Sequence, residues 1–141
     1  ANVLLDERGE PLVTDFGLAK RVEGDGGLTQ TGAIVGTPGY MAPEQARAEK
    51  TLTTAVDVYG LGAVLYECLT GRPPFVADTR AETLRRVQTE PPVPPSAARP
   101  GVPRGLDAVT LRCLAKAPGD RFASAAARKA SSARSNRPAW P

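Results

Sequence analysis

Gly36-Thr37-Pro38-Gly39-Tyr40-Met41-Ala42-Pro43-Glu44 is the stretch on which the reading of this chain turns. Its prolines and glycines exclude a long helix or a central strand, so it reads as a shaped loop that passes into helical character near Pro43. Toward the N-terminus, the residues from Gly17 to Gly39 are rich in Gly, Thr and charge, without helical or strand period. A loop this long inside a compact domain is uncommon and usually functional. Before it lie two short apolar runs, Val3 to Leu5, which ends in Asp6-Glu7-Arg8-Gly9, and, after Glu10, Pro11 to Phe16. Two such runs about a Gly-containing turn predict a β-hairpin.

Toward the C-terminus, Val58, Leu61, Val64, Leu65, Cys68 and Leu69 cover more than one face of a helix expected from Ala55 to Thr70. Apolar residues almost all round predict a buried helix. Gly71 supplies a C-terminal stop and Pro73-Pro74 prevents continuation. Thr79 and Glu82 have capping-box spacing and open a further helix that carries Leu84 and Val87. The proline-dense run from Pro91 to Pro103 is expected to be an extended surface connection. Leu106, Val109, Cys113 and Leu114 then mark one face of another amphipathic helix. The expected fold is mainly α, with a short β-hairpin at its N-terminal end.

The 141 residues, 41% hydrophobic and 23% charged, suffice for one soluble globular domain with a modest core. The formal charge is +3, but Arg128, Lys129, Arg134 and Arg137 carry four positive charges in a tail without acidic residues. Setting those four against the net +3 leaves −1 for the remainder, so the basic pI does not point to nucleic acid. The tail, residues 122–141, is Ala, Ser and Arg with few large apolar side chains and is expected to be disordered. Its composition shift near Ala127 reads as a change of reading frame. Cys68 and Cys113 both fall in apolar helical patterns and are expected to be buried structural thiols. With no histidine and no paired cysteine spacing, a zinc site is excluded. The apolar stretch from Val58 to Leu69 is too short to span a bilayer and contains Glu67. The chain opens on Ala1 rather than methionine and enters a strand-like run at once, which reads as a cut start with no signal peptide.

Three motifs occur in order: Asn2-Val3-Leu4-Leu5, Asp15-Phe16-Gly17, and Gly36 to Glu44. Together they resemble the signature set of protein kinases, specifically the bacterial serine/threonine kinases, over Ala1 to Arg121. The resemblance implies residues 1–121 of a kinase C-terminal lobe: the end of the catalytic loop, the metal-binding motif, the activation segment and large-lobe helices. It also implies ATP and Mg²⁺ as cofactors and serine or threonine hydroxyls of proteins as acceptors. Asp15 would hold Mg²⁺ against the phosphates, and Asn2 would give a neutral oxygen to a second Mg²⁺; hard Mg²⁺ prefers such ligands. Read alone, Asp15 is also a turn aspartate before a glycine.

Phe16 resembles the pivot whose packing separates active from inactive arrangements, with Gly17 supplying the backbone freedom. Thr29 and Thr31 resemble activation-segment phosphorylation sites, where a phosphate can order a loop by pairing with arginine; alternatively they are threonines of a polar loop. Thr37 resembles the residue that hydrogen-bonds the catalytic aspartate and favours Ser/Thr over Tyr specificity. Glu44 and Arg121, the latter in Asp120-Arg121, are expected to form a buried structural ion pair. Asp57 resembles the aspartate that braces the catalytic loop, and as a helix-start carboxylate it is also favoured by the macrodipole.

The pattern is incomplete at its start. The catalytic aspartate belongs five residues before the asparagine, and only Ala1 precedes Asn2. The general base, the Gly-rich loop and the strand lysine of the small lobe are therefore expected outside this chain, which alone would be inactive. The expected location is cytoplasmic, with the parent protein open to membrane anchoring beyond this segment. Two other readings stay open: a non-catalytic kinase remnant that binds proteins, and a small-molecule kinase. The peptide-binding character of Gly36 to Glu44 speaks against the second.

Overall fold

The computed structural model describes residues 3–13 and 37–124. The chain forms two compact units, Ala1–Ala33 and Ile34–Pro141. In the first, strands β1 (Val3–Leu5) and β2 (Pro11–Val13) pair antiparallel, with Val3 opposite Val13, Leu4 opposite Leu12 and Leu5 opposite Pro11. The turn is built by Asp6, whose carboxylate accepts from the amides of Arg8 and Glu10 at 2.8 Å. Gly9 takes a φ of 79°, the left-handed value a side chain would resist.

The second unit is helical. A 3-10 turn at Pro38–Tyr40 leads into α1 (Pro43–Ala46), whose entry is capped by Gln45 Oε1 accepting from the Ala42 amide at 3.0 Å. Helix α2 (Ala55–Thr70) ends at Gly71, which adopts a φ of 84° and donates its amide to the Glu67 carbonyl. Helix α3 (Arg80–Thr89) starts on Thr79, whose hydroxyl accepts from the Glu82 amide at 3.2 Å. The reciprocal half of the expected capping box is replaced, because the Glu82 carboxylate turns to Arg85 and Arg86. Helices α4 (Pro95–Ala98) and α5 (Gly105–Cys113) follow, then a second 3-10 turn at Pro118–Asp120.

The proline-dense run is thus not wholly extended. Pro95 is fully buried at the start of α4, and the Ser96 amide and hydroxyl donate to Asp107 of α5 at 2.9 and 2.5 Å. Proline suits the first helical turn, where its missing N–H is not needed. A carboxylate on the adjacent amide is what makes this short helix worth forming.

The core centres on one face of α2: Tyr59, Ala63 and Tyr66 pack with Ala42 and Leu114. Phe75, Val87 and Ala46 form a second cluster, and Val58, Cys113 and Phe122 a third. Phe122 is buried beneath the Arg112 guanidinium, 4.4 Å from the ring centroid, so packing continues past the expected boundary at Arg121. Two expectations for α2 are corrected. The helix is buried on one side only, with Leu61 48% and Val64 39% exposed, and Cys68 is exposed whereas Cys113 is buried. The apolar residues ring the helix, so their pattern alone did not say which face meets the core; the small residues Gly62 and Ala63 and the aromatics Tyr59 and Tyr66 decide it.

Gly62 is where α2 meets α5. A β-carbon there would lie 2.5 Å from Cys113 Cβ, so the two backbones approach only because the side chain is absent. Gly62→Ala is expected to destabilise the fold by about 1–3 kcal/mol through overpacking, read as a lower urea midpoint at unchanged slope. Adding Cys113→Gly is expected to cost less than the two single losses combined, since it vacates the contested space. Full additivity would mean that the helices part without strain.

Candidate functional site

The quoted segment is held from three sides. Thr37 is exposed, and its carbonyl accepts from the Tyr40 amide at 3.1 Å, which closes the 3-10 turn. Tyr40 reaches across to α2, where its hydroxyl donates to Glu67 Oε2 at 2.5 Å. That bond, then burial, pushes the Tyr40 hydroxyl up to about 12, so it stays a donor at neutral pH. Gly39 is buried against Pro73 and the Phe75 carbonyl in the α2–α3 loop.

Below the turn, Glu44 is buried in the first turn of α1 and meets the buried Arg121 in a two-pronged pair, Nη1–Oε1 2.6 Å and Nη2–Oε2 2.7 Å. Arg121 also donates to the carbonyls of Ala115 (2.8 Å), Ala55 (2.8 Å) and Lys116 (3.1 Å). All five N–H groups of the guanidinium are therefore satisfied. The group lies 5.0 Å from the centroid of the Tyr59 ring. One side chain thus joins α1, the start of α2 and the chain after α5. Burial alone would raise the Glu44 carboxyl; the Arg121 hydrogen bonds and the local backbone outweigh it and leave it below its ordinary range. Tyr59 is fully buried with a hydroxyl that has no partner among the described residues, and burial raises its pKa.

Lys116 ties the same region to α3. Its ammonium donates to the Val87 carbonyl at 2.5 Å and lies 4.1 Å from the centroid of the Phe75 ring. A cation on the last carbonyls of a helix complements the macrodipole. Burial, opposed by Glu90 and aided by Arg47 and Arg121, brings this amine down to about 8. A folded-state value below the unfolded one means that the unfolded chain binds more protons between the two, so this group's contribution rises with pH from about 8 toward 10.5. Lys116→Met is expected to flatten that rise in urea-unfolding free energy measured at successive pH values. An unchanged pH slope would show that Lys116 is ordinarily solvated.

The structure brings Glu44 and Arg121 together and sets Thr37 at the head of the same segment. Asp57 lies in the first turn of α2, exposed. Asn2, Asp15, Phe16, Gly17, Thr29 and Thr31 lie outside the described residues. Among the described residues, no group of three or more Asp, Glu, Cys or His side chains is placed to hold a metal ion. No helix among them is long and apolar enough to cross a membrane. The Tyr40–Glu67 bond and the Lys116 clamp were not read from the sequence. Glu67 carried a signal, since a lone carboxylate in an apolar helix calls for a donor opposite it.

Residues 1–131 match the protein kinase domain. The chain is similar to the serine/threonine-protein kinase PknB of Mycobacterium leprae, 42% identical over 130 residues, covering 92% of this chain and 21% of the relative. It is 44% identical over 131 residues to PknB of Mycolicibacterium smegmatis, again 92% of this chain and 21% of the relative. Over 125 residues it is 46% identical to the serine/threonine-protein kinase PknH of Mycobacterium bovis, 88% of this chain and 20% of the relative. The chain spans about a fifth of the length of the curated relatives it matches.

Proposed function

The chain belongs to the protein kinase domain family, and from that premise we propose that it is part of the large lobe of a kinase that transfers the γ-phosphate of ATP to serine or threonine hydroxyls of proteins. The observation that carries this reading is the anchoring of Thr37 to Glu44 between Tyr40–Glu67 on one side and Glu44–Arg121 on the other. A loop so fixed presents a rigid edge to an extended peptide, and phosphoryl transfer depends largely on positioning and charge stabilisation. Protein kinases use ATP with Mg²⁺. Asp15 and Asn2 are the residues we assign to hold the ion, which would neutralise triphosphate charge. Thr37 is assigned to orient the catalytic aspartate, and Thr29 and Thr31 to receive regulatory phosphate. Phe16 and Gly17 form the pivot beside Asp15, and Asp57 braces the catalytic loop from the start of α2. The kinase part takes in residues 1–121 and the buried Phe122 that follows them, with the basic remainder to residue 141 as an extension of it. The chain spans about a fifth of its relatives' length, and a small lobe and general base would complete the site in the parent protein, which would act in the cytoplasm.

The test is incubation of the intact protein with γ-labelled ATP, Mg²⁺ and a general protein acceptor. Label is expected on phosphoserine and phosphothreonine, not phosphotyrosine, and is expected to vanish with a chelator. An intact protein that transfers no phosphate but still captures protein partners would support a binding remnant. Label on a small molecule alone would place the acceptor outside proteins.

A further inference from the structure

Gly39 and Pro73 form a contact that the sequence motifs do not account for. Gly39 is buried, and a β-carbon on it would sit 3.1 Å from Pro73 Cβ and 3.2 Å from the Phe75 carbonyl oxygen. Those distances are tighter than ordinary packing, so one of the two surfaces must yield to any side chain at position 39. The α2–α3 loop is poorly placed to yield. Pro73 and Pro74 fix φ at two of its positions. Phe75 is buried with Ala46 and Val87 and has the Lys116 ammonium on its ring. On the other side, the 3-10 turn Pro38–Tyr40 is short, and its first carbonyl acceptor is Thr37 itself. With Tyr40 held on Glu67 at its far end, the turn can give only at its exposed Thr37 end, and Thr37 is the residue displaced.

We propose that Gly39 and Pro73 are a positioning pair: the bare α-carbon of Gly39 seated on the Pro73 ring sets the height of Thr37, and thereby the geometry of transfer to the acceptor hydroxyl. This rests on the kinase reading and on the role assigned to Thr37 above. Neither residue touches the reacting atoms. Their effect is steric and passes through two backbone links, from Gly39 to Pro38 and from Pro38 to Thr37.

The experiment is a double-mutant cycle on the intact protein, with a peptide acceptor and with KM for ATP and the thermal midpoint measured on every variant. Gly39→Ala asks the turn to give by only a few tenths of an ångström, so it is expected to lower kcat about three- to fivefold, a fraction of the roughly hundredfold that a 1 Å misplacement can cost. KM for ATP is expected to stay at its wild-type value, and the thermal midpoint to fall by no more than the few degrees that mild overpacking costs. Pro73→Gly removes the wall and is expected to lower kcat too. The double variant Gly39→Ala/Pro73→Gly, in which the new methyl occupies vacated space, is expected to lie closer to wild type than Gly39→Ala alone. Unchanged kcat in Gly39→Ala overturns the inference, as does strict additivity in the cycle. A parallel collapse of kcat, ATP affinity and thermal midpoint in both single variants, unrelieved in the double, would make the contact merely structural and overturn it as well. A wild-type protein that phosphorylates no peptide would instead overturn the kinase reading, and this inference with it.

Discussion

Arg121→Ala is expected to cost about 3–5 kcal/mol of folding stability, the range for removing one member of a buried ion pair. Many domains are stable by only about 5–15 kcal/mol, so a loss of this size takes about a fifth of the total at the high end of that range and nearly all of it at the low end. The cost has two parts in this fold. Glu44, 3% exposed, is left with a charge and no cation opposite it. The carbonyls of Ala55, Ala115 and Lys116 lose their donor in a place that water reaches poorly. Arg121→Lys keeps the charge but offers three donors on one nitrogen where five are spread over a planar fork, and it is expected to recover only part of the loss. Glu44→Gln separates the two parts, since it keeps the shape and one acceptor while removing the charge. Urea unfolding of the intact protein monitored by far-UV circular dichroism is the check. A midpoint within error of wild type for Arg121→Ala would mean that the pair is as well solvated in the unfolded chain as it is satisfied in the native one.

Asp15→Asn is expected to do the opposite: to lower phosphoryl transfer on the order of 10²–10³-fold, the cost of removing one preorganised charge stabiliser, while leaving the unfolding midpoint in place. The substitution preserves shape and removes the only formal negative charge of the assigned pair, because Asn2 is already neutral. A hard dication binds a carboxylate far better than an amide, so added Mg²⁺ is expected to recover part of the rate. Steady-state transfer by the intact variant over a range of Mg²⁺ concentrations is the measurement. A rate equal to wild type at limiting Mg²⁺ would remove Asp15 from the site. The two variants together separate an arginine that holds the helical unit in shape from an aspartate assigned to the chemistry.

Much of this was legible in the residues, for identifiable reasons. The hairpin announced itself through two apolar runs about Asp6 to Gly9, and α3 through Thr79 three residues before Glu82. Local hydrogen bonds set both, and local sequence therefore records them. The Glu44–Arg121 pair, 77 residues apart, was accessible only through resemblance, because nothing in either residue's neighbourhood names the other. Helix α4 was missed because prolines crowd the run around it, and what stabilises it, Asp107, lies 11 residues from Ser96. The exposure of Cys68 was missed because an apolar helix without a polar stripe does not declare its buried side. Lys116 was passed over because a lysine in a loop normally points to water, and only the Phe75 ring and the end of α3 give it another place to go. The candidate chemistry at Asn2 and Asp15 rests on motif order, and the described geometry adds the frame around Thr37.

The close approach of Gly62 to Cys113 also bears on how this fold can drift. Two positions 51 apart in the sequence share one volume too small for two β-carbons. Among descendants of this chain, a larger residue at 62 should be found only where 113 has shrunk or α5 has slid. Position 62 is therefore not free to vary alone, and what may replace its glycine is inherited with the state of position 113.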